Sequence, residues 1–97
     1  MTGVQTCALP IYVNNLRQIL VSQDSTAQII AKIETKAAIE PETLKEIVKA
    51  ADGVMVARGD MAVETSAEIV PIVEREIIRL CRKYGKLSIV EIGRAHV

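Results

Sequence analysis

Five residues in this 97-residue chain have types and spacings that can do chemistry together: Lys32 and Glu34, then Arg58, Gly59 and Asp60. Lys32 and Glu34 stand two positions apart at the end of a short apolar run, AQIIAKI, so in an extended strand they point to the same side. Arg58-Gly59-Asp60 follows a second such run, VMVA. If the two runs are neighbouring strands about 5 Å apart, Glu34 and Asp60 come within reach of one ion. Two carboxylates with hard oxygens, and room left for water or substrate, suit Mg²⁺ or Mn²⁺. A lysine beside that ion can stabilise an enolate or a phosphoryl group in transit. Glycine at position 59 lets backbone N–H groups approach a carboxylate or phosphate closely. From spacing alone the same residues also read as a solvated strand end, which is the commoner case. A bare Arg-Gly-Asp tripeptide is weak as an adhesion motif, because nothing else here points to a secreted loop.

The elements that must position these residues follow from periodicity. Between Val13 and Val21, Leu16, Ile19 and Leu20 share one helical face. The run Ala27 to Ile33 has the length of a strand buried on both faces of a parallel sheet. Pro41 opens a helix, where its missing N–H is harmless, and Leu44, Ile47, Val48 and Ala51 give that helix a core-facing stripe. Asp52-Gly53 is a turn, with Gly53 as a helix stop. Val54 to Ala57 is a second strand. Thr65 and Glu68 have the spacing of a capping box for a third helix, with Pro71 near its first turn. Val70, Val73, Ile77, Leu80 and Cys81 line its apolar side as far as Gly85, and Leu87 to Val90 is a third strand. Alternating helices and strands predict an α/β fold with a parallel sheet and right-handed crossovers. A doubly wound sheet and a barrel both fit this order. No glycine-rich phosphate fingerprint follows any strand.

Composition removes other classes. Twelve Lys plus Arg balance twelve Asp plus Glu, and the isoelectric point is near 6.6, so there is no electrostatic footprint for nucleic acid or an anionic membrane. No apolar run approaches the ~20 residues of a membrane helix. Two Cys and one His supply neither a disulfide scaffold nor a multi-histidine metal site. Without Phe or Trp, a platform for stacking bases is not expected. Cys81 reads as a small core residue. Glu40, Glu42, Glu46, Glu74, Arg75, Glu76 and Arg79 read as solvated helix faces with occasional ion pairs.

The two ends differ from the middle. Thr6 to Ile11 can be encoded ACG TGT GCT CTT CCG ATC, and the next base belongs to Tyr12. The reverse complement, with one preceding G, encodes Glu91 to His96 and begins a Val codon. The string resembles a common sequencing-library adapter. Residues 1–11 and 91–97 are therefore read as adapter-derived tails, and 12–90 as the segment that carries function. Cys7 and His96 fall in these tails and are assigned no role.

IIAKIE, followed after a helix by DGVMVARGDMAVE and later by CRKYGK, resembles the catalytic barrel of the pyruvate kinases over about Val13 to Val90. The pair KIE and ARGD at this separation is far more specific than either alone. The resemblance implies a partial (β/α)₈ TIM barrel with about three parallel strands and their intervening helices. It also implies a phosphotransferase that moves phosphoryl from phosphoenolpyruvate to ADP, giving pyruvate and ATP in glycolysis. By position, Lys32 matches the lysine that stabilises the transferring phosphoryl and the enolate. Glu34 and Asp60 match the Mg²⁺ (or Mn²⁺) ligands, Gly59 and Asp60 the positions that hold the substrate carboxylate, and Arg58 an arginine that orders this loop. The family further implies K⁺, a cytoplasmic location and a homotetrameric parent enzyme without nucleic-acid or membrane partners. Met61-Ala62 replaces the family's usual Leu-Gly, and ETKAAIEP replaces its commoner Asn- and Gly-containing turn. The family's Ala-Thr-Gln segment after the next strand is absent, and so are the strands that carry the K⁺ and nucleotide contacts.

A complete barrel takes ~250 residues, so three strands are expected to leave open edges and an exposed apolar face. The isolated chain is expected to be insoluble or partly folded, without phosphoenolpyruvate-dependent ATP synthesis. The runner-up is a metal-dependent pyruvate aldolase-type lyase, also a barrel, which IETKAAIEP somewhat resembles. Lys32 before Ile33-Glu34, and Arg58 before Gly59-Asp60, favour the kinase. A non-enzymatic α/β binding module is the third reading, and predicts cooperative folding without metal dependence.

Overall fold

The computed structural model describes residues 3–7 and 9–91. Strands β1 (Gly3–Cys7), β2 (Gln28–Ile33), β3 (Gly53–Ala57) and β4 (Leu87–Glu91) form one parallel sheet in the order β1-β2-β3-β4. Helices α1 (Pro10–Ser22), α2 (Pro41–Ala50) and α4 (Ile69–Tyr84) make the crossovers, and a short α3 (Arg58–Glu64) follows β3 directly. Every strand pairs with its neighbour in sequence. That is the wall of a (β/α)₈ barrel rather than a doubly wound sheet, whose strand order reverses at a switch point. Among the described residues, no helix is long and apolar enough to cross a membrane.

The helices lie on one face of the sheet because each carries a single apolar stripe. In α4 the buried residues are Val70, Val73, Ile77, Leu80 and Cys81, as the spacing predicts. In α2 they are Leu44, Ile47 and Val48. These meet alternate strand residues, Ile29, Ala31 and Ile33 from β2 with Val54 and Val56 from β3, in one core that also takes in Val13 and Met61. In α1 the stripe runs through Val13, with Leu16 and Leu20 packed at its edge. Ile19, expected on that face, is 52% exposed.

The other face of the sheet carries Ile30 and Lys32 on β2, Met55 on β3, and Leu87 and Ile89 on β4. Leu87 is 54% exposed. Gly53 begins β3 on this face and does not act as a helix stop, because its backbone is not left-handed and α2 already ends at Ala50. Its role is spatial: a Cβ there would lie 2.9 Å from Ile30 Cδ1 and 3.3 Å from Leu87 Cβ. Gly85 does take the left-handed conformation (φ 68°), and it ends α4 as expected.

Three further local differences have physical reasons. The Thr65–Glu68 capping box does not form, because the Thr65 hydroxyl donates to the Met61 carbonyl at 2.7 Å and closes α3 instead. The segment after β3 is helical rather than a loop, anchored by Met61, which is fully buried. A strand also forms at Gly3–Cys7, where no pattern predicts one; pairing with β2 supplies its backbone partners.

Candidate active site

Lys32 is the last residue but one of β2, and Glu34 lies just beyond it. Both side chains are about one third exposed, and Lys32 Nζ stands 3.6 Å from Glu34 Oε2. The register sets Lys32 level with Met55 and Ile33 level with Val56, so Glu34 leaves β2 where β3 gives way to α3. Arg58, Gly59 and Asp60 are the first three residues of α3, and all three are exposed. The two sequence motifs therefore emerge at the C-terminal ends of adjacent parallel strands, where barrels carry their chemistry.

Asp60 forms no hydrogen bond or ion pair among the described residues, so its carboxylate is open to a ligand. The first N–H groups of α3 have no partner within the helix. A Cβ added at Gly59 would meet nothing within 4 Å, so space above these groups is open. Among the described residues no three His, Cys, Asp or Glu side chains cluster as a closed metal cage. Glu34 and Asp60 offer carboxylate oxygens at the ends of adjacent strands, the donor type that Mg²⁺ takes while keeping several waters.

Arg58 turns toward α4. Its Nη2 donates to Glu74 Oε1 at 3.3 Å and its Nε donates to Glu74 Oε2, a two-pronged contact that raises the guanidinium pKa above its ordinary value. Glu74 was expected on a solvated helix face. Its side chain is instead only 15% exposed and ties α4 to the start of α3. No sequence pattern marks this pair, because its partners lie 16 positions apart. Glu76 and Arg79 do form the expected surface pair.

The opposite end of the sheet holds a second polar cluster, and the sequence reading of Asp52 as a turn residue did not anticipate it. Asp52 Oδ2 accepts from the Ile29 N–H at 2.8 Å and from Arg17 Nη1 at 2.9 Å. Arg17 Nη2 also donates to the Ala50 carbonyl at 2.8 Å, and Lys86 Nζ to the Ala51 carbonyl at 2.7 Å. Burial alone would push the Asp52 pKa up. The Ile29 N–H and the Arg17 guanidinium, helped by Lys86, outweigh it and hold the carboxyl below its usual value.

Cys81 is buried in the core as expected, and burial pushes its thiol pKa up. Cys7 and His96 lie outside the side chains described. A concavity of about 710 Å³ between α2 and α4, floored by Ile39, Leu44 and Val73, contains none of the five motif residues.

Comparison with known proteins agrees with this geometry. A family profile described as "Pyruvate kinase, barrel domain" matches residues 10–92. The chain is 56% identical over 62 residues to a pyruvate kinase of Thermotoga maritima, covering 64% of this chain and 13% of that protein. It is 43% identical over 77 residues to a pyruvate kinase of Methanocaldococcus jannaschii, covering 79% and 17% respectively. A pyruvate kinase of Clostridium perfringens is 47% identical over 75 residues, covering 76% and 15%. The chain thus spans about a sixth or less of the length of these relatives. Parallel β/α units, the two motifs at adjacent strand ends and the match over most of the chain agree: the chain belongs to the pyruvate kinase family, as part of its barrel domain.

Proposed function

We propose that the whole enzyme transfers the phosphoryl group of phosphoenolpyruvate to ADP, and that this chain carries part of its active site. The observation behind this reading is the emergence of Lys32, Glu34 and Asp60 at the same end of two paired strands. In the reaction the bond from phosphorus to the enol oxygen breaks, and a bond to a β-phosphate oxygen of ADP forms. Lys32 Nζ offers charged N–H donors to the transferring oxygens and to the enolate oxygen as negative charge builds there. Glu34 holds that ammonium from 3.6 Å away. Glu34 and Asp60 are the residues that would hold Mg²⁺ or Mn²⁺, which when bound neutralises charge on the phosphoryl and enolate oxygens. The open N–H groups at Gly59 and Asp60 would orient the substrate carboxylate, and Arg58, held by Glu74, fixes the start of α3.

On this reading, the residue that protonates the enolate, the K⁺ ligands and the nucleotide contacts belong to other strands of the whole enzyme. A glycolytic role, a cytoplasmic location and a homotetrameric parent are part of the same reading. The adapter-like codons at 1–11 and 91–97 are assigned to library preparation, and the underlying nucleotide read tests this directly.

The activity is tested by replacing the matching stretch of the Thermotoga maritima enzyme with residues 13–90. The chimera should make ATP from phosphoenolpyruvate and ADP, and Lys32→Met within it should lower kcat by about 10²–10³-fold, the cost of removing one electrostatic stabiliser. A Lys32→Met chimera as fast as its parent would overturn the assignment. Turnover by the 97-residue chain well above its own Lys32→Met control would overturn the expectation that it is inactive.

A further inference from the structure

We propose that Glu74 is a positioning residue for the metal-binding part of the site: by holding Arg58 it fixes the first turn of α3, and with it the place of the Asp60 carboxylate. This rests on the reading of Asp60 as a metal ligand. Little else holds the turn. A helix of seven residues is too short to be stable by itself, so contacts with the rest of the fold must set its position. Ala57, which precedes it, supplies no side-chain cap. A Cβ on Gly59 would meet nothing within 4 Å, so no neighbour wedges the turn on that side. Among the described residues, Arg58 is the only one of the first three residues of α3 whose side chain is hydrogen-bonded, and both bonds go to Glu74. The next anchor is Met61, which is fully buried. Asp60 therefore stands between two fixed points, and loss of the first leaves its turn attached through the second alone.

Glu74 is suited to be the fixed partner. It follows Val73 and precedes Ile77 by three positions, and both are core residues, so the packing of the 16-residue α4 holds its backbone. Its side chain is 15% exposed against 47% for Arg58, which makes the carboxylate the sheltered member of the pair. Arg58 Nε and Nη2 donate to different oxygens of that carboxylate, and such a fork sets direction as well as distance. Glu76, two positions further along α4, turns instead to Arg79 on its own helix. It ties nothing to α3 and is the natural control.

The test uses the Thermotoga maritima chimera carrying residues 13–90. Glu74→Ala should raise both the Mn²⁺ dissociation constant and KM for phosphoenolpyruvate by about three- to fivefold, the size of a partly exposed ion pair, with kcat within about twofold. Glu74→Gln keeps an oxygen that accepts from Arg58, so it should raise the same two quantities less, and it decides the matter if the alanine variant loses structure. A third readout needs neither metal nor turnover. The helical N–H groups of Ala62, Val63 and Glu64 point back to the carbonyls of Arg58, Gly59 and Asp60. In the metal-free chimera Glu74→Ala should speed hydrogen exchange at these three amides and leave α4 unchanged. Glu76→Ala should alter none of these quantities. Unchanged Mn²⁺ affinity and exchange in Glu74→Ala, equal effects from Glu76→Ala, or a loss confined to kcat and unfolding temperature would each overturn the proposal. If Lys32→Met costs the expected rate while Glu74→Ala does nothing, only the role of Glu74 fails. If Lys32→Met is silent, the catalytic reading fails, and the exchange result still decides whether Glu74 orders the turn.

Discussion

The two ends of the sheet are built from the same kinds of residue and treat them in opposite ways. At the N-terminal end, Asp52 and Arg17 bond to each other, and both of them and Lys86 bond to backbone groups. At the C-terminal end, Lys32 and Glu34 meet only at 3.6 Å, and Asp60 is exposed and unbonded among the described residues. Where acid and base satisfy each other, they hold the scaffold and have little left for a ligand. Where they are left open, the scaffold gains little and a metal or phosphoryl group can complete them. Barrels divide stability and chemistry along the strand axis in this manner, and the division is already visible in this part of one.

Breaking the N-terminal cluster should produce the largest effect. Asp52→Ala leaves the Ile29 N–H and the Arg17 guanidinium without their carboxylate and should cost about 2 kcal/mol in urea unfolding. Arg17→Met removes one partner and should cost about 1 kcal/mol. Acid should reproduce part of this loss. The folded-state pKa of Asp52 is depressed, so its contribution is complete above the unfolded-state value and fades as pH falls below about 4. Asp52→Asn should flatten that part of the stability–pH curve. At the other end, Lys32→Met, Glu34→Gln and Asp60→Asn should each change stability by less than about 0.5 kcal/mol. Glu34→Gln should nevertheless abolish any rise in melting temperature caused by Mn²⁺, whereas Asp52→Asn should preserve it. Equal losses from Asp52→Ala and Glu34→Gln would erase the contrast between the ends.

The legible parts of the molecule were those where one periodicity decides the outcome. Leu44, Ile47 and Val48, and the five buried residues of α4, mark their helices because burial repeats at helical spacing. Lys32, Glu34 and Asp60 were identifiable because a strand's pleat and its end fix where such residues go. Hidden features depended on distant partners. Arg17 reaches Asp52 across 35 positions, and Arg58 reaches Glu74 across 16. The strand at Gly3–Cys7 exists through its pairing with β2, and α3 is anchored by buried Met61 with Ala62 packed beside the core. Thr65 had two possible partners, and its spacing could not say that the Met61 carbonyl would take it.

Asp52 also solves an alignment problem. Its backbone N–H donates to the Ile29 carbonyl, its carboxylate accepts from the Ile29 N–H, and its own carbonyl accepts from the Leu87 N–H. One residue therefore fastens three consecutive strands at a common level. Parallel strands are joined by long crossovers and can meet their neighbours in more than one alignment, and a slip of one residue would turn every core side chain to the wrong face. Such a slip would also pull Asp52 away from Ile29 and Leu87 together. Its carboxylate works as a pin that lets only one alignment close, so Glu34 and the start of α3 emerge at the same end of adjacent strands.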